Sequence, residues 1–108
     1  MTTKVNKELL KGSLAILILA ILSEEPTYGY RIVKELKTRS RDVFSLGEGT
    51  LYPLLHKLQS DGLLESYWQE VDGRRRKYYA LTKNGRRALD AKTDEWRLFA
   101  KAMNQVTR

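Results

Sequence analysis

The sequence predicts a small, mostly helical α+β domain made of three helices, a β-hairpin and a longer terminal helix. Three observations predict it. Apolar residues recur at spacings of three and four over three separate stretches; Asp72-Gly73 separates two runs rich in Tyr, Trp and Val; and Leu89, Trp96 and Met103 lie seven apart near the carboxyl end. At 108 residues the chain has room for one domain with a modest core.

Asn6 stands where a cap is expected, ahead of a first helix carrying Leu9, Leu10, Leu14, Leu17, Ile18, Ile21 and Leu22 and closed by Pro26. Lys4, Lys7 and Lys11 followed by the unbroken apolar run from Leu14 to Leu22 copy the first parts of a secretory signal. Ser23-Glu24-Glu25-Pro26 then stands where small cleavage-site residues belong, and the run falls well short of the roughly 20 residues that cross a bilayer. A buried helix in a cytoplasmic protein, with no membrane partner, is the preferred reading.

Thr27 offers a hydroxyl to the start of a second, amphipathic helix with Tyr28, Ile32, Val33 and Leu36 on one face. Thr38 to Leu46 has no clear period and reads as a turn or irregular linker. A third helix follows with Leu51, Leu54, Leu55 and Leu58 inward and Gly62 placed to end it. Pro53 lacks an N–H and disfavours helical geometry at Tyr52, so it is expected in or near the first turn: Thr50 as cap puts it at the third position, whereas a start at Gly47 strains the second turn. Leu64 to Val71 and Arg74 to Thr82 form the hairpin, joined by a two-residue Asp-Gly turn. Thr82 then caps the terminal helix, whose stripe of Leu89, Trp96, Phe99, Met103 and Val106 is interrupted by Lys92.

Two short helices, a linker and a tight hairpin is the order of a winged helix-turn-helix, in which the second of the two helices enters the DNA major groove. The leucines of the third helix leave Thr50, Tyr52, Pro53, His56, Lys57 and Ser60 on its other face, a surface of hydrogen-bonding and cationic groups. Taken alone it is also the ordinary polar face of an amphipathic helix. Beside it, Arg74, Arg75, Arg76 and Lys77 crowd the hairpin tip, the arrangement of a phosphate clamp that supplies salt-dependent affinity and register. A net charge of +7, from twenty Lys and Arg against thirteen Asp and Glu, favours a polyanionic partner.

Tyr28-Gly29-Tyr30, Gly49-Thr50-Leu51-Tyr52-Pro53-Leu54-Leu55 with Leu58 and Asp61-Gly62-Leu63, and Gly73-Arg74-Arg75-Arg76-Lys77-Tyr78-Tyr79 followed by Leu81-Thr82 and Gly85 closely resemble the PadR family of transcriptional regulators. The resemblance spans nearly the whole chain and implies a winged-helix homodimer that represses transcription and is relieved in many cases by a small aromatic effector. The length resembles the short form with a single carboxyl-terminal helix. It implies residues 1–82 as the DNA-binding domain and 83–108 as a dimerisation helix, the two forming one compact unit. It also implies Tyr28 and Tyr30 near the phosphate backbone, Thr50, Tyr52, Pro53 and Lys57 at the groove, and Arg74 to Lys77 as the wing. For Tyr28, core packing with a wet hydroxyl is an equal alternative.

The terminal stripe of Leu89, Trp96, Phe99, Met103 and Val106 is costly in water, and a partner subunit is its simplest cover. A twofold dimer on double-stranded DNA implies an inverted-repeat operator. Through the resemblance to multidrug-binding relatives, Leu9, Ser13, Ile16, Trp96 and Phe99 are expected to line an effector pore, although an indole at a seam is also ordinary interface packing. No catalytic residue, metal site or cofactor is expected: cysteine is absent, His56 is the single histidine, and there is no glycine-rich phosphate loop or zinc spacing. A winged-helix module that binds protein is the competing function, since fold does not settle activity.

Overall fold

The computed structural model describes residues 6–108; Lys4, in the basic stretch before the apolar run, lies outside them. Among these residues the chain forms five helices and a three-stranded antiparallel sheet: α1 Lys7–Lys11, α2 Leu14–Leu22, β1 Thr27–Tyr28, α3 Gly29–Arg39, α4 Glu48–Ser60, β2 Leu64–Val71, β3 Arg74–Leu81 and α5 Lys83–Thr107. The strand order is β1-β3-β2.

The core gathers one face from every layer. Ile18, Leu19 and Leu22 of α2, Ile32 and Leu36 of α3, Leu51, Leu55 and Leu58 of α4, Leu64 of β2 and Tyr79 of β3 are buried together. Full burial of a leucine or isoleucine contributes about 1.5–3 kcal/mol, so the helical leucines anchor α4 with its opposite face outward. Phe44 and Leu46 pack against this cluster from the α3–α4 connection, which is irregular in backbone but not detached.

Four boundaries differ from the sequence reading. The first helix is two: Ser13 separates α1 from α2, its N–H bonding Leu10 and its carbonyl accepting from Leu17. The apolar spacing stays in phase across this step and therefore hides it. Thr27 does not cap α3. It is buried in extended backbone and paired with Tyr79, and Tyr28 takes the cap position with no side-chain bond. Helix α3 runs on to Arg39 and closes in a Schellman turn, Asp42 N–H to the Lys37 carbonyl and Arg41 N–H to that of Thr38, with Arg41 in the left-handed region normally given to glycine. Helix α4 starts at Glu48 with Gly47 as cap, so Pro53 does lie in the second turn. Proline withholds the N–H that the Gly49 carbonyl would accept, at a residue that is exposed.

The hairpin follows its predicted register, Val71 opposite Arg74 through Leu64 opposite Leu81. Asp72 and Gly73 both have positive φ, as a type I′ turn requires. Strand β3 ends at Leu81, which frees Thr82 to cap α5: its hydroxyl accepts from the Gly85 N–H at 3.0 Å and donates to the Gly62 carbonyl at 2.7 Å. Gly62, left-handed, ends α4 in a second Schellman turn. Thr82 thus ties the end of α4 to the start of α5.

Helix α5 is about 37 Å long by its rise per residue, and only its first turns, through Ala88 and Leu89, pack on the core. Beyond them Trp96, Leu98, Phe99, Met103 and Val106 are exposed. No helix among the described residues is long and apolar enough to cross a membrane.

Candidate nucleic-acid interface

Helix α4 and the hairpin face each other across a cleft of about 500 Å³. Tyr52 and His56 line it from α4, Tyr28 and Tyr30 from the entry to α3, and Arg76 and Lys77 from β3. These are six of the residues expected at DNA, brought to one concavity from four elements, β1, α3, α4 and β3. Thr50, Pro53 and Lys57 are exposed on α4 beside it, and Arg74 and Arg75 are exposed toward the hairpin tip.

Tyr52 holds its place because of Gly29. A Cβ built on Gly29 would stand 2.5 Å from the Tyr52 hydroxyl oxygen and 2.8 Å from the adjoining ring carbon, so only glycine at the start of α3 lets the phenol lie across it. Gly29→Ala is expected to swing Tyr52 out of the cleft. Because the clash is with the far end of a rotatable side chain, the thermal midpoint should move by less than about 5 °C. Duplex affinity should nevertheless fall about tenfold, which a mobility-shift titration beside a circular-dichroism melt checks.

The cations are oriented by aromatic rings. The Arg76 guanidinium lies 4.3 Å from the Tyr28 ring centroid, Arg75 lies 4.9 Å from Trp68, and the Lys77 ammonium 5.9 Å from Tyr79. Tyr28 also meets Tyr78 at a tilt, ring centroids 5.6 Å apart, and Tyr78 stacks on Tyr67 at 5.9 Å. Tyr28 is half-buried, packing with its ring beneath the Arg76 guanidinium. Among the described residues none of Arg74, Arg75, Arg76 and Lys77 forms an ion pair, whereas Arg31 and Arg39 are engaged by Glu24, Glu25 and Glu35, and Lys57 meets Asp61 at 3.1 Å. The four wing cations are thus clustered, unpaired and available to an external anion. Burial, with Tyr52 adding, pushes the Tyr79 hydroxyl above the ordinary tyrosine range.

Three residues of this site escape sequence reasoning. Trp68 and Tyr79 also line the cleft, and Gly29 shapes it. Strand alternation carried the signal for Trp68, since the register sets it opposite Lys77, two places from the pair that holds buried Tyr79.

The residues expected at an effector are also brought side by side within one chain. Leu9, Ser13 and Ile16 of the α1–α2 region and Trp96 and Phe99 of α5 line a groove of about 350 Å³, with Lys92 at its edge. Leu89 instead packs against the chain's own core. Leu98, exposed on a different side of α5, was not part of the expected stripe.

A polar helix face and an unpaired cationic hairpin around one cleft, on a three-helix core, define a winged-helix DNA-binding transcriptional regulator. Residues 18–91 match the Transcriptional regulator PadR-like family, and the chain belongs to it. It is 39% identical over 83 residues to the transcriptional regulator Rv3488 of Mycobacterium tuberculosis, covering 77% of this chain and 75% of the relative. A PadR family transcription regulator from hypervirulent Clostridium difficile is 42% identical, with a TM-score of 0.79 over 89% of this chain and 99% of its own. A transcriptional regulator from Clostridium thermocellum superposes with a TM-score of 0.88 at 30% identity, over 96% and 99%.

Proposed function

We propose that the protein is a cytoplasmic, sequence-specific repressor that grips an inverted-repeat operator as a homodimer. One observation carries this reading: Arg76 and Lys77 line a single cleft with Tyr52 and His56 of α4, Arg74 and Arg75 are exposed beside it toward the hairpin tip, and among the described residues none of the four pairs with a carboxylate. In this reading Thr50, Tyr52, Pro53, His56 and Lys57 address base edges from the groove, while Tyr28, Tyr30 and Arg74 to Lys77 hold phosphates. Residues 1–82 then bind DNA and 83–108 join the subunits.

The exposed Trp96, Phe99, Met103 and Val106 support the homodimer, since apolar surface costs about 25 cal/mol per Å² in water. A twofold axis spaces the two α4 helices about one DNA turn, roughly 34 Å, apart. The groove of Leu9, Ser13, Ile16, Trp96 and Phe99 is the site for a small aromatic effector, which derepresses by preferring the subunit arrangement that spaces the wings wrongly.

Sedimentation of the purified chain at micromolar concentration checks the assembly: twice the chain mass is expected, and Phe99→Asp with Met103→Asp should return it to one. Selecting bound fragments from genomic DNA should enrich an inverted repeat. A monomer indifferent to duplex DNA at low ionic strength would overturn the reading. Quenching of tryptophan emission by planar cationic drugs that survives Trp68→Phe and is lost in Trp96→Phe is the expected mark of the effector groove; no quenching in either variant counts against it.

A further inference from the structure

Trp68 is not accounted for by packing. It is 59% exposed on a strand whose neighbours on the same face lead down to buried Tyr79, and it stands at the edge of the cleft between β2 and α4. A large indole held open to water is unfavourable, and this one is also fixed in place by the Arg75 guanidinium on its ring. Arg75 lies on its ring, Arg76 and Lys77 line the cleft with it, and no carboxylate among the described residues lines the cleft. At about 500 Å³ the concavity falls within the roughly 300–1,000 Å³ typical of sites that enclose a small molecule or part of a larger one.

We propose that Trp68 is a DNA-binding residue that seats one sugar–phosphate unit of the duplex backbone between the wing and α4. The ring face covers the deoxyribose, the indole N–H is available to a phosphate oxygen, and Arg76 and Lys77 neutralise that phosphate from the adjacent strand. Charge complementarity selects this occupant: the cleft offers cations, phenol hydroxyls and one indole N–H, which suit an anion carried on an apolar ring. The seat fixes how deeply α4 enters the groove without reading sequence. This inference rests on the DNA-binding reading above.

The test labels the full chain with 5-fluorotryptophan, giving two fluorine resonances for its two tryptophans, with Trp68→Phe assigning them. On adding a mixed-sequence duplex at low salt, the Trp68 resonance should shift and lose most of its H₂O/D₂O isotope shift. Trp68→Ala should weaken every duplex by about tenfold, the scale of one hydrogen bond to a charged group, and leave the salt slope unchanged because no charge is removed. Duplex retained in a mobility shift while Trp68 keeps its full solvent isotope shift overturns the seat and leaves DNA binding standing. No duplex bound by the wild-type chain removes both.

Discussion

Gly85→Ala is expected to lower the thermal midpoint by about 10 °C, although alanine is the better helix former. Replacing glycine by alanine inside a helix ordinarily stabilises by about 0.5–1 kcal/mol, and Gly85 lies near the start of the 25-residue helix α5. At this position a Cβ would drive into the carbonyl oxygen of Leu63 and stand 2.9 Å from a Leu81 methyl. The first of these is backbone in the turn that ends α4, held by the Thr82 N–H to Leu63 bond and by the Thr82 hydroxyl on Gly62. It cannot rotate away, so α5 must shift as a body. Overpacking of this kind costs about 1–3 kcal/mol, and damage to the Thr82 cap adds about 1 more, so the clash outweighs the propensity gain. The opposite sign is expected for Gly49→Ala, where a Cβ meets nothing within 4 Å on an exposed turn of α4: its midpoint should rise by a few degrees. Calorimetry at one fixed protein concentration compares them, since self-association alters the midpoint. A Gly85→Ala midpoint at or above the wild-type value defeats the argument.

The contrast between those glycines shows what could be read in the chain. Periodicity reported the inward faces of α2, α3 and α4 because burial acts on every third or fourth side chain, and Asp72-Gly73 reported its turn because few other pairs tolerate two positive φ values. Packing between distant segments leaves no such local trace. Thr27 looks like a cap because a hydroxyl before a helix usually is one; only pairing with Tyr79, far along the chain, makes it a strand. Arg41 closes α3 in a conformation that favours glycine, so the composition of that turn gave no stop signal. At the candidate site the polar face of α4 and the basic hairpin were legible as residue types. The requirement that Gly29 be bare for Tyr52, and the turning of Trp68 toward α4, exist only once the elements are packed.

Replacing Arg74, Arg75 and Arg76 together by alanine should weaken duplex binding about 100-fold near 0.1 M salt and lower the salt slope by two to three units, about 0.9 for each phosphate that is no longer neutralised. Net charge alone does not produce that result. The chain carries +7 and stays basic after the triple change, so long-range attraction persists while the phosphates at the wing go without their cations. Arg39→Ala removes a positive charge that Glu24 and Glu35 already engage, and its effect should stay below about threefold. Lys57→Ala falls between, because Asp61 offsets part of the lysine's charge at 3.1 Å, but it should also relax sequence preference if Lys57 lies at base edges. Changing the three arginines to lysine separates charge from orientation. It keeps every positive charge while loosening the stacking of Arg75 on Trp68 and Arg76 on Tyr28, interactions worth about 0.5–1 kcal/mol each at exposed sites. The salt slope should then be preserved with only part of the affinity lost. Equal losses for the lysine and alanine triple variants would mean that the wing acts by its shape, and equal losses for Arg39→Ala and the alanine triple variant would mean that the surface acts as an undifferentiated polycation; either outcome ends the case for a phosphate clamp at the hairpin.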